Sequence, residues 1–284
     1  MSFLSTSYDA LCKTLQWRLL LLWAFALALP TLLTSLPLFI SLNQALGNSL
    51  SGAHLLDGMD VGVLGDVFMN LSGQGYSPAS GLGGFLVFLL MLPWLGGMLV
   101  AVARSDRPLF FGELAVAGWR EYGRMGRLWI WAIVPLGIAI GIGAGLMNWA
   151  DDHAAKQVLE SDADFGKNMA LGATLLLVFF VSATLDAARA RFARELHRRS
   201  AVKAWWAGFK DVLRRPRCWL IYLLITLVGL VVAALIGWVR IQLAPVGVWS
   251  FTADLLLAQF ITMALAWARA ARVVAFADEG LLVR

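Results

Sequence analysis

Six stretches of about 20 residues with scarcely a charge recur along this chain, at approximately Leu19 to Leu42, Gly81 to Ala103, Leu128 to Trp149, Met169 to Ala188, Trp219 to Val239 and Phe251 to Ala268. At about 1.5 Å per residue, each is long enough to cross a roughly 30 Å hydrocarbon layer as a helix. Composition agrees. The 284 residues are 60% hydrophobic and only 14% charged, against about 25% charged in an ordinary soluble domain, which leaves too little polar surface to face water. The expected fold class is all-α: a polytopic membrane protein whose six transmembrane helices form three hairpins in one domain, residues 1–284.

The first apolar stretch follows Lys13 and Arg18, but it is too long for a signal peptide and no small-residue cleavage site follows it, so it is read as an uncleaved span. Orientation follows from the basic residues, because loops rich in Lys and Arg stay in the cytoplasm. The N-terminal segment, the loop from Arg104 to Arg127, the segment from Arg189 to Arg217 and the tail from Arg269 onward hold all the Lys and Arg except Lys156, Lys167 and Arg240. Both termini are therefore expected in the cytoplasm, and the membrane is expected to be a bacterial-type inner membrane. The first outer segment, Asn43 to Ser80, contains no Lys or Arg but holds Asp57, Asp60 and Asp66; within it, His54 to Asn70 permits a short helix on the outer surface.

The formal charge of +5 sits in clusters beside the apolar runs, so anionic lipid headgroups are the expected partner. Nucleic acid is not expected, because no zinc spacing, basic zipper or aromatic RNA motif accompanies the charge. Cys12 and Cys218 fall on the reducing side, with no third cysteine to build a metal or disulfide framework.

The chain also carries a threefold pattern, with pseudo-repeats at 1–107, 108–199 and 200–284. Each begins with an amphipathic stretch on the cytoplasmic side. The first places Tyr8, Leu11, Cys12 and Leu15 on one face with Ser7 as a cap, and the second aligns Phe111, Leu114, Gly118, Tyr122 and Met125. The third aligns Val202, Trp205, Trp206, Phe209, Val212 and Leu213, with Ser200 as cap and Pro216 as stop. Every even span leaves the membrane through an Ala- and Arg-rich stretch, as at Ala187 to Arg194 and Ala266 to Arg272. Gly83, Gly84, Gly96, Gly97, Gly141, Gly143 and Gly145 are candidates for close helix contacts.

Ionisable groups inside a membrane are costly and mark function when they occur. Asp186 is the clearest, and an i, i+3 pair with Arg189 accounts for it without a functional role. Gln259 is the one clear amide within a span, with interhelical hydrogen bonding as its ordinary role. Arg240 and Asp254 flank the last outer turn, where they reach water or each other. Asp151, Asp152, His153, Glu160, Asp162 and Asp164 match no metal-ligand spacing and read as a solvated acidic loop. The candidate surface for docking lipid or a protein partner is Arg198, Arg199, Lys203, Trp205, Trp206, Lys210, Arg214 and Arg215. Anchoring of each hairpin at its depth is the plainer reading of those residues.

The segment SAVKAWWAGFKDVLRRPRCWLIYLL, Ser200 to Leu224, and the three-hairpin layout resemble bacterial six-helix membrane families of uncharacterised function, including the membrane domain attached to some glycerophosphodiester phosphodiesterases. That resemblance implies architecture only, with no catalytic residues to carry over. Mitochondrial carriers share a three-repeat plan, but their Pro-acid-base signature is missing after Pro30, Pro135 and in the fifth span. The Glu-Ala-Ala loop of importer permeases is matched only at Glu113, with Gly118 one residue early. No nucleophile elbow, HExxH pair, phosphate loop or dinucleotide fingerprint is present, so no enzyme, cofactor or metal is expected. The expected function is a non-enzymatic inner-membrane protein acting as scaffold, accessory subunit or lipid-organising factor, with a membrane or cytoplasmic protein as a further possible partner. The alternative is a transporter or permease subunit moving a small solute or lipid.

Overall fold

The computed structural model describes residues 3–46, 82–154, 160–242 and 248–279. Helices form all of the regular structure among them: α1 (Phe3–Thr14), α2 (Trp17–Leu46), α3 (Leu82–Arg104), α4 (Phe111–Ala154), α5 (Glu160–Arg194), α6 (Ala201–Arg214), α7 (Pro216–Gln242) and α8 (Val248–Glu279). Six of these, all but α1 and α6, are long and apolar enough to cross a membrane, as six apolar runs required. The chain is a multi-pass membrane protein. The surface helix expected between His54 and Asn70 lies outside the described residues, as do Asp57, Asp60 and Asp66.

The helix boundaries follow local chemistry. Ser200 caps α6 by accepting from the Lys203 N–H at 3.4 Å, and Pro216 opens α7 at the first helical position, where its missing N–H costs nothing. The expectation of a Ser7 cap is corrected: α1 already begins at Phe3, and Ser7 is buried inside it. The Phe111 to Met125 stretch and the third span run as one uninterrupted helix of 44 residues, about 66 Å long. Between Phe111 and Pro135 there is no proline to break the ladder, and Gly118, Gly123 and Gly126 only weaken it. At the start of α4, Glu113 accepts from the Phe110 N–H at 2.9 Å and pairs with Arg107 at 2.6 Å, tying off donors that have no partner within the helix.

Two compact units divide the chain. The smaller comprises residues 22–92. In it α2 and α3 meet at Gly84, where a Cβ would fall 2.7 Å from the carbonyl oxygen of Pro30, so only glycine admits the contact.

The larger unit comprises residues 1–21 and 93–284. Within it α4 packs on α5, α7 on α8 and α5 on α8, while α1 lies against α7 and α8 and α6 against α4, α5 and α7. Small residues set these distances. A Cβ on Gly97 would lie 2.7 Å from the Gly118 carbonyl oxygen, and one on Gly208 would lie 2.8 Å from the Ala188 nitrogen. Gly143 touches Thr174 and Gly229 touches Ala268. Gly83, Gly141 and Gly145, also candidates, face open space, and Gly96 makes only ordinary contact with Met125.

In α1 the buried residues are not those of the apolar stripe, and in α6 they include only Val212 of it. In α1 the buried residues are Thr6, Ser7, Ala10 and Thr14, while Tyr8 and Leu15 are exposed. In α6 they are Ala201, Ala204, Gly208 and Val212, while Val202, Trp206 and Leu213 point outward. Small side chains let backbones approach, and hydrocarbon receives the large ones as readily as a protein interior does.

Candidate functional site

The arginine-rich ends of α3, α4, α5, α7 and α8 gather the buried polar chemistry of the larger unit. Asp186 on α5, 3% exposed, is its first node. Its carboxylate accepts from Arg189 one turn on, and from Arg272 Nε of α8 at 2.9 Å. Arg272 also donates to Thr226 Oγ1 of α7 at 3.1 Å and lies over the Tyr222 ring, 4.8 Å from its centroid. One carboxylate therefore ties three helices. The sequence supplied the Arg189 pair but not Arg272, 86 residues away.

Glu121 of α4 is the second node. It is buried and accepts from Arg104 at 3.1 Å and Arg124 at 2.8 Å. Those arginines then reach the end of α5. Arg104 donates to the carbonyls of Phe192 and Ala193 at 3.1 and 3.2 Å, and Arg124 to those of Glu195 and Arg198 at 2.8 and 3.1 Å. The last carbonyls of a helix lack intrahelical donors and carry partial negative charge, so cations there satisfy both needs. Glu121 holds the two cations in register. A sequence signal for it existed: Leu114, Gly118, Glu121, Met125 and Leu128 follow helical spacing, and all are buried.

Of the candidate docking residues, the structure commits some to packing and leaves others outward. Trp205 donates to Thr184 Oγ1 at 3.1 Å and meets Trp131 edge-on at 5.7 Å, so it fixes α6 to α5 and α4. Asp211 adds a charged tie, accepting from Arg191 Nε at 2.7 Å. Arg198 is held by Glu195 and donates to the Lys203 carbonyl at 2.9 Å. Arg215 is half-buried, its N–H closing the end of α6 on the Asp211 carbonyl at 3.1 Å. Trp206 is exposed, stacked on Phe209, with Lys210 over its ring at 5.5 Å. Arg199, Lys203, Lys210 and Arg214 are exposed, and none pairs with a carboxylate of the described residues.

Two open recesses flank the start of α6. The larger, about 630 Å³, is bordered by Arg194, Glu195, His197, Arg198, Arg199 and Lys203. The smaller, about 450 Å³, runs between α4 and α6 past Arg127, Ile130, Trp131, Val134, Arg199 and Ser200.

Elsewhere, Arg240 of α7 and Asp254 of α8 join at 2.6 and 2.9 Å. Lys167 reaches Asp151 at 3.3 Å between α5 and α4. The carbonyl oxygen of Gln259 is buried without a donor among the described residues. Among the described residues no three His, Cys, Asp or Glu side chains converge as a metal site. No family model, curated protein or solved structure matches this chain.

Proposed function

We propose that this protein is a non-enzymatic lipid-organising protein of a bacterial-type inner membrane, with its arginine-rich helix ends and both termini in the cytoplasm. The observation that carries the reading is the division of labour among charges at that end. The buried carboxylates Asp186 and Glu121 are each held by two arginines, of which Arg272, Arg104 and Arg124 also reach a further helix, so these acids are committed to structure. The cations left over, around α6, face outward beside Trp206 and Leu213, a combination suited to phosphate and glycerol at headgroup depth. The pairing of α4 with α5 and of α7 with α8 supports the three-hairpin plan, and the outward apolar faces of α1 and α6 support their lying in the interface.

The test is purification of the full chain in mild detergent, with retained phospholipids quantified against bulk membrane. Enrichment of anionic over zwitterionic lipid is expected; a retained pool with bulk composition overturns the reading. Orientation is checked separately with a membrane-impermeant thiol reagent on Arg199→Cys. Labelling only after the inner membrane is opened is expected, and labelling from the periplasmic side refutes the topology.

A further inference from the structure

We infer that the groove between α4 and the start of α6 is a binding site for a single anionic glycerophospholipid, an inference that rests on the lipid-organising reading and gives it a location. At one end of the groove stand Arg127 and Arg199, both exposed and neither paired with a carboxylate of the described residues. Ser200 also lines the groove, the cap of a helix of 14 residues whose first N–H groups add partial positive charge. The rest of the lining is apolar: Ile130, Trp131 and Val134. The indole N–H of Trp131 has no acceptor among the described residues.

The order of these groups along α4 selects the occupant. Arg127, Ile130 and Trp131, and Val134 succeed one another at helical spacing, so the lining passes from cation to hydrocarbon within about 10 Å along the axis. Exposed Ile138 and Ile142 continue the stripe toward the middle of the span. A phosphate joined to acyl chains matches both halves. A soluble anion gains nothing from the apolar half, and a soluble peptide would have to displace hydrocarbon from a face that already tolerates it. The larger recess on the far side of Arg199 is the weaker candidate, because Glu195 borders it and already engages Arg191 and Arg198.

Native mass spectrometry of the full chain in mild detergent tests the site, titrating phosphatidylglycerol or phosphatidylcholine of the same acyl chains. An arginine near an anionic headgroup is worth about fivefold in affinity, so Arg127→Gln with Arg199→Gln is expected to weaken the tightest phosphatidylglycerol adduct about 25-fold. The matched control, Arg120→Gln with Arg217→Gln, removes equal charge from exposed positions outside the groove and is expected to leave that adduct in place. Excess inorganic phosphate is expected not to displace it. If the groove variant keeps its preference, if the control loses as much, or if phosphate competes, the groove assignment falls while the broader reading stands. A wild-type chain that does not distinguish the two lipids overturns both.

Discussion

Asp186→Asn isolates what the buried carboxylate contributes. Asparagine keeps the shape and one acceptor but removes the charge that faces Arg189 and Arg272, leaving two half-enclosed guanidinium groups in a site with 3% exposure at the acid. Removing one partner of a buried ion pair costs about 3–5 kcal/mol, because the remaining charge stays desolvated and unpaired. The retained hydrogen-bond acceptor places the expectation near the lower bound, about 3 kcal/mol, which lowers an unfolding midpoint by roughly 6–12 °C in a protein of this size. The assay is built in: Cys218 is a buried thiol on α7 outside any disulfide, so in a Cys12→Ser background a thiol-reactive fluorophore reports unfolding as Cys218 becomes accessible. The exposed pair of Arg240 and Asp254 provides the control, since Asp254→Asn is expected to cost no more than about 1 kcal/mol. If Asp186→Asn melts with the wild type, the ion-pair node does not hold the helices together, and a proton-carrying role for Asp186 becomes the better account of a costly buried acid.

Gly208→Val places a side chain against the backbone of Ala187 and Ala188, which cannot yield without moving α5, so a loss of about 1–3 kcal/mol is expected. Gly137→Ala, with nothing within 4 Å, is expected to be neutral or stabilising by up to about 1 kcal/mol in the same melt. Glu121→Gln frees the arginines that clamp the end of α5, and trypsin is expected to cut the Glu195 to Ser200 connection faster; an unchanged digestion rate would count against the clamp. Trp205→Phe is expected to cost about 1 kcal/mol through the lost bond to Thr184, while Trp206→Phe leaves stability unchanged.

What the amino-acid order determined by itself is the set of elements that hydrocarbon requires. Six runs of sufficient length and too little charge fix six membrane-length helices, because a backbone in lipid has few ways to satisfy its own polar groups. Ser200 and Pro216 were legible for the same local reason, as was the i, i+3 pairing of Asp186, while for Arg240 and Asp254 the sequence left water and each other equally open. The tertiary structure alone decided the rest. Periodicity identifies an apolar stripe on α1 and α6, but in a membrane both faces of that stripe have an apolar destination, so packing by Ala, Gly and Ser chose the inward side. It also brought Arg272 to Asp186 and Arg104 to the end of α5, contacts between residues 86 and 88 or more positions apart that no local rule reaches. Arg127 was visible only as one more charge of a basic segment until α6 was laid beside it and made a groove.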